Sequence, residues 1–133
     1  MKLVLDASVA VAAARPHEIR HIDATRCVRR VLTGQDTMLV PSIFRVEVAS
    51  ALTRAGVDAA LTRRYLENLL SMAEVVTLGP VRTRQVQEIA MRTRLRAADA
   101  IYVWLAAREN LTLVTLDQEM LARSAGLCTV AAP

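Results

Sequence analysis

Eleven residues constrain this chain more than any others. Within LRAADAIYVWLAAREN, ten of the eleven residues from Ala97 to Ala107 are apolar, and the exception is Asp99. A run that is apolar on every side belongs to a helix buried all round. An unpaired carboxylate in such a place is costly unless a cation or several donors meet it. The chain must therefore build layers around this helix and also account for Asp99.

The rest of the sequence supplies those layers. KLVLD (2–6) reads as a short buried strand, followed by a short helix to about Ala14. Pro16 is expected to open a second helix over 17–33, with Ile19, Ile22, Cys27, Val28, Val31 and Leu32 as its apolar stripe and Gly34 as its stop. TMLVP (37–41) is the second strand. Ser42 is a plausible N-cap for a helix over 43–55, closed by Gly56. Asp58 caps the next helix, 59–72, with Leu61, Tyr65, Leu66, Leu69 and Leu70 on one side. EVVTL (74–78) is the third strand, and Gly79-Pro80 turns the chain into a helical region over 81–109. No Gly or Pro interrupts that region, yet its apolar pattern changes near Leu95, so a break is expected at 94–97. LTLVTL (111–116), a helix over 117–124 and LCTVA (127–131) complete the pattern. Alternating strands and helices imply βαβ units, a mostly parallel sheet and right-handed crossovers with helices on both faces. In such sheets ligands bind beyond the carboxyl ends of the strands, where the strand order reverses.

Composition narrows the class. The 133 residues fit one domain, are 53% hydrophobic and carry a net charge of +4, with Lys2 the only lysine. This is a globular chain rather than a disordered one. Arginine suits bidentate contact with phosphate or carboxylate, although a GC-rich coding sequence explains high Arg and Ala equally well. Cys27 and Cys128 lie far apart without CxxC spacing, which argues against a disulfide framework or a zinc site. The opening apolar run is short and interrupted by Asp6, so it is a poor signal peptide and too short to span a bilayer. The expected setting is cytoplasmic, with no membrane partner.

Four acids then stand out. Asp6 closes the first strand, Glu47 lies in the helix after the second, Asp99 starts the buried helix, and Asp117 follows the fourth strand. All four can reach one end of the sheet. Each has a plain structural explanation. Asp6 and Asp117 can serve helix starts, and Thr115 with Gln118 resembles a capping box. Asp99 can be a first-turn acid, and Glu47 can pair with Arg45 or Arg54. Together they are harder to explain so, because carboxylates sharing one crevice raise one another's pKa. A hard divalent cation, Mg²⁺ or Mn²⁺, relieves that repulsion and suits an oxygen-only ligand set. RTRQVQEIAMRTRLR, with Arg82, Arg84, Arg92, Arg94 and Arg96, is a candidate phosphate-contacting surface, although such runs are more often a solvated helix face. His17 and His21 fall on a polar helix face and are not placed to act as a base.

LVLDASV, PSIFRVEVASAL, LRAADAIYVWLAA and LVTLDQEM, in this order across essentially the whole chain, resemble the PIN domain. More narrowly, they look like the VapC ribonuclease toxins of toxin–antitoxin pairs. The resemblance implies a single domain over 1–133 with a parallel sheet of order 3-2-1-4-5. It implies Mg²⁺- or Mn²⁺-dependent endonucleolytic cleavage of RNA, with water attacking phosphorus in line. The acidic quartet maps onto Asp6, Glu47, Asp99 and Asp117. Asp6 and Asp99 become the most direct metal ligands, and Ser8 and Thr115 match positions where the family often has a hydroxyl. It further implies a VapB-like antitoxin as partner and a homodimer; Leu66, Leu69 and Leu70 are candidates for its surface, and core packing explains them equally well. The alternatives are a PIN-like module that binds RNA or a partner without cutting, and a housekeeping RNA-processing nuclease. A phosphatase or receiver domain fits less well. Ser8 stands where such a phosphatase wants a second Asp, and a receiver wants a lysine late in the chain.

Overall fold

The computed structural model describes residues 1–133. Five parallel strands lie in the order β3-β2-β1-β4-β5. They are β1 (Lys2–Leu5), β2 (Thr37–Pro41), β3 (Ala73–Val76), β4 (Thr112–Val114) and β5 (Val130–Ala131). β1 is central, with Leu3 paired to Met38 of β2 and to Thr112 of β4. Leu3, Val4 and Leu5 are all buried, so both faces of the sheet are covered, as parallel sheets require.

Seven helices make the cover: α1 (Ala7–Ala14), α2 (His21–Leu32), α3 (Ile43–Arg54), α4 (Ala59–Ser71), α5 (Pro80–Thr93), α6 (Ala97–Glu109) and α7 (Gln118–Arg123). α6 lies directly on β1, β2 and β4, with α5 packed against it, while α1 to α4 form a second mutually packed group. Tyr102, Val103, Trp104, Leu105 and Ala106 are buried, as the run around Asp99 demands. The break between α5 and α6 falls where the pattern changed. Arg94 ends α5 in the left-handed region, at φ 60°, which is unusual for a side chain of this size. The Thr93 hydroxyl accepts from the Leu95 N–H at 3.3 Å, and the Arg94 carbonyl accepts from Arg123 Nη1 at 3.1 Å. These bonds hold a corner that no glycine makes.

Three expectations need correction. The second helix starts at His21 rather than 17, because residues 15–20 form turns after Pro16. Ile19 and Ile22 are consequently exposed, at 98% and 72%, and only Ala24, Val28 and Val31 of α2 are buried. His21 is not a free surface residue, since its Nδ1 lies 2.9 Å from the Ala12 carbonyl at the end of α1. Leu66 and Leu69 are core residues and the partly buried Leu70 packs against the core, so core packing accounts for them; Leu61 is the exposed leucine of α4. No helix is long and apolar enough to cross a membrane, and both cysteines are free.

Candidate active site

The chain leaves β1 for β2 on one side and finds β4 on the other, so the order reverses between β1 and β4. Asp6 is the first residue beyond β1 at that point. Its N–H donates to the Val114 carbonyl at 3.0 Å, which extends the β1–β4 pairing by one residue and fixes where the side chain emerges. Asp6 is buried. It precedes α1 yet makes no side-chain cap. Instead Oδ2 accepts from Ser8 Oγ at 2.5 Å and from Thr115 Oγ1 at 2.8 Å. The two hydroxyls are themselves anchored to the loop after β4. Ser8 Oγ accepts from the Leu116 N–H at 3.1 Å, and Thr115 Oγ1 from the Asp117 N–H at 3.0 Å. Backbone donors thus orient both hydroxyls towards one carboxylate.

The Thr115 hydroxyl donates to Asp6 and accepts from the Asp117 N–H rather than from Gln118, so the capping-box reading fails. Asp117 is itself the N-cap of α7, with Oδ1 accepting from the Met120 N–H at 3.0 Å. Its other oxygen, Oδ2, lies 3.5 Å from Arg96 Nη2.

Asp99 is the third residue of α6, in the first turn, as the break near 96 required. Its side chain is only 13% exposed. Arg96 Nε lies 3.5 Å from Oδ2, near enough for charge attraction, yet Oδ2 is buried and has no hydrogen-bond partner. Burial and the neighbouring charges of Asp117 and Asp6 push its pKa up to about 6.

Glu47 sits one turn into α3, half-buried. It meets neither Arg45 nor Arg54. The Tyr102 hydroxyl donates to its Oε1 at 2.7 Å, across from α6. Burial raises the Glu47 pKa, the Tyr102 bond opposes that, and the charges of Asp6 and Asp99 add to it. Burial likewise raises Asp6, against the opposing hydrogen bonds from Ser8 and Thr115.

Asp6 and Asp99 therefore link the set at the switch point: the charges of both act on Glu47, and that of Asp117 acts on both. As they stand, no three His, Cys, Asp or Glu side chains close into a ready-made set of metal ligands. What the structure does contain is an orphaned, buried carboxylate oxygen on Asp99, and three acids whose charged forms the site disfavours. A group of this kind takes up either protons or a cation. An oxygen-only set suits a hard divalent ion.

The arginine run divides. Arg84, Arg92 and Arg94 are exposed on α5 and at its end, whereas Arg82 donates to the Thr77 carbonyl at 2.9 Å. Arg96 turns back onto Asp99 and Asp117. Tyr102 is the site residue the sequence reading missed. Its signal was present, because a buried tyrosine hydroxyl normally finds a partner and Tyr102 lies one turn after Asp99.

The family model for the PIN domain matches residues 3–127. Ribonuclease VapC3 of Mycobacterium tuberculosis is 34% identical over 128 residues, covering 92% of this chain and 87% of that protein. Exonuclease VapC9 of Pyrobaculum aerophilum is 35% identical over 74 residues, and the match spans about half of each protein, 56% of this chain and 54% of the relative. Among solved structures, Mycobacterium tuberculosis VapC20, described as a Sarcin-Ricin loop cleaving toxin, superposes with a TM-score of 0.76 at 18% identity. That superposition covers 98% of this chain and 99% of VapC20. With the family model spanning nearly the whole sequence, from β1 through α7, the chain belongs to the PIN domain family.

Proposed function

We propose that this chain is a metal-dependent endoribonuclease and the toxin of a toxin–antitoxin pair. The observation that carries the reading is the buried Asp99 Oδ2, without a hydrogen-bond partner, beside the charges of Asp117 and Asp6 at the switch point. The likeness to VapC3, which is named a ribonuclease, supports the activity. Fold neighbours solved as toxin–antitoxin assemblies from Klebsiella pneumoniae and Rickettsia felis support a VapB-like antitoxin as partner.

Asp6 and Asp99 would be the direct ligands of a Mg²⁺ or Mn²⁺ ion, and Glu47 and Asp117 would complete the set. When bound, such an ion lowers the pKa of water and offsets charge on phosphoryl oxygens. The chain's own groups do the rest. Ser8, from α1, and Thr115, from the loop after β4, hold the Asp6 carboxylate in one orientation. Tyr102 holds Glu47 from α6. Glu47 or Asp117 orients the attacking water and takes its proton as the new P–O bond forms and the ester P–O bond breaks. Hydrolysis leaves one phosphate end and one hydroxyl end. Arg84, Arg92 and Arg94 lie where an approaching RNA backbone finds positive charge.

The test is thermal unfolding of wild type and Asp99→Asn with and without Mn²⁺, together with cleavage of total RNA. At a hundredfold excess over the dissociation constant, binding adds about 2.7 kcal/mol, a rise of several degrees for a domain of this size. The expected result is a rise in wild type alone, with RNA cleavage lost in the variant. Equal melting curves in both proteins, with no cleavage, favour the non-cutting RNA-binding module instead.

A further inference from the structure

Beside the four acids, a groove of about 450 Å³ runs between α1 and α3. It shares Ser8 and Glu47 with the site, so whatever fills it lies next to the reacting phosphate. Its walls are mostly apolar, with Val11, Ile43 and Val46 among them, and Arg54 lines it too. Val46 is 63% exposed although apolar. Arg54 is exposed and makes no ion pair or side-chain hydrogen bond within the chain. Glu47, Ser50 and Arg54 succeed one another along one face of α3. Seven residues of helix separate Glu47 from Arg54, a rise of about 10 Å.

We propose that this groove is a nucleotide subsite flanking the scissile phosphate, with a base against Val11, Ile43 and Val46 and a backbone phosphate on Arg54. The inference rests on the ribonuclease reading and adds where the strand lies. Three features favour RNA as the occupant. The groove is continuous with the acidic site and is sized for a small group rather than a duplex, which selects an unstacked, single-stranded base. It pairs an apolar wall with a hydroxyl, from Ser50, as a base with one flat face and polar edges requires. It places an unpaired guanidinium about two helical turns from the acids, where a flanking phosphate escapes their repulsion and gains a bidentate partner.

The test is fluorescence anisotropy of a fluorescein-labelled, random-sequence single-stranded RNA in Ca²⁺, over a salt series, for wild type, Arg54→Ala, Ser50→Trp and Arg63→Ala. Arg63 is an exposed α4 arginine outside the groove, and its variant controls for net charge. Loss of the Arg54 phosphate contact is expected to weaken binding about tenfold and to reduce the slope of log K against log salt by about 0.7. Ser50→Trp, which fills the groove, is expected to weaken binding with a melting temperature near wild type. Arg63→Ala is expected to change neither affinity nor slope.

Failure of wild type to bind RNA overturns the subsite, as does an Arg54→Ala titration superimposable on that of Arg63→Ala. Loss of antitoxin binding in the groove variants with RNA binding intact also overturns it, by assigning the groove to a protein helix. Cleavage of the same RNA in Mn²⁺ keeps the two readings apart. Wild-type cleavage with binding insensitive to Arg54 removes the subsite alone. Arg54-sensitive binding without cleavage removes the nuclease reading alone.

Discussion

Asp36 lies just before β2 and Asp6 just after β1, two buried carboxylates at opposite ends of neighbouring parallel strands. Asp36 is fully matched. Arg30 grips it with Nε at 2.6 Å from Oδ2 and Nη2 at 3.0 Å from Oδ1, and the Met1 amine adds a contact at 3.1 Å. These partners, Arg30 first, hold its pKa down to about 2 against the opposing effect of burial. Asp6 meets the Ser8 and Thr115 hydroxyls and no cation, and burial, with the charge of Asp117, raises its pKa. The amino end of the sheet contains a finished, bidentate ion pair, whereas the acids at the carboxyl end share one long-range and largely exposed cation, Arg96. Burial alone does not distinguish the two carboxylates; the presence of a closely matched cation at Asp36, and its absence at Asp6, does.

The strongest way to break that comparison is activity. Asp6→Asn and Asp99→Asn should each lower RNA cleavage by about a hundredfold or more, the scale of removing one charge-stabilising group from an active site. Asp36→Asn should leave the rate per folded molecule within about twofold. A comparable loss in Asp36→Asn, with the protein still folded, would erase the distinction between the two ends.

Stability should sort the same residues in reverse. Asp36→Asn removes charge-assisted bonds worth about 1.5–3 kcal/mol, a fall of several degrees in melting temperature. Asp99→Asn should melt no lower than wild type at neutral pH, because it removes an ill-accommodated charge. The pH windows differ in sign as well. Asp36 has a folded value of about 2 against 3.8 for an ordinary Asp, so the unfolded chain holds more protons between those values. Its contribution is present above about 4 and is lost as the pH falls through about 2. Asp99 has a folded value of about 6 against 3.8, so there the folded chain holds more protons. Stability therefore falls as the pH rises from about 4 through about 6. Melting curves across pH should lose the lower window in Asp36→Asn and the upper one in Asp99→Asn.

The fold was legible because its signals are local and periodic. Short apolar runs, glycine stops and the shift in pattern near Leu95 located strands, helices and the α5–α6 break. The four acids were legible because carboxylates in apolar stretches are conspicuous. What sequence could not supply was pairing between distant segments. Nothing local told whether Ile19 and Ile22 face a neighbour or solvent, and a turn after Pro16 left them outside. The Thr115 hydroxyl accepts from the Asp117 N–H two residues on, as a local reading allows, but donates to Asp6, 109 residues away. Glu47 had arginines on its own helix and instead takes the Tyr102 hydroxyl, 55 residues away.

That last bond gives an intermediate prediction. Tyr102→Phe keeps the buried ring and removes one donor to Glu47. It should cost about 1–3 kcal/mol of stability, since the carboxylate oxygen is left without its partner. Cleavage should fall by several-fold, well short of the loss in Asp99→Asn, because Glu47 remains in place on α3. A loss as large as that of Asp99→Asn would make the hydroxyl part of the reacting set rather than a support.

The smallest effect belongs to Arg96, the nearest thing the carboxyl end has to the Arg30 of the amino end. Its Nε and Nη2 each lie 3.5 Å from a carboxylate, on Asp99 and Asp117, but the side chain is 76% exposed. Water screens such a pair, so it is worth less than about 1 kcal/mol. Removing it takes a positive charge from beside the acids, and Coulomb repulsion of a second cation falls with it. Arg96→Ala should therefore bind Mn²⁺ slightly more tightly, by less than about fivefold, read as a leftward shift of the Mn²⁺ titration of melting temperature. Arg96 also lowers the Asp99 pKa, so the variant's stability should keep falling to a higher pH than in wild type. Weaker Mn²⁺ binding in Arg96→Ala would mean that the guanidinium positions the acids as Arg30 positions Asp36, and the two ends of the sheet would then differ in degree rather than in kind.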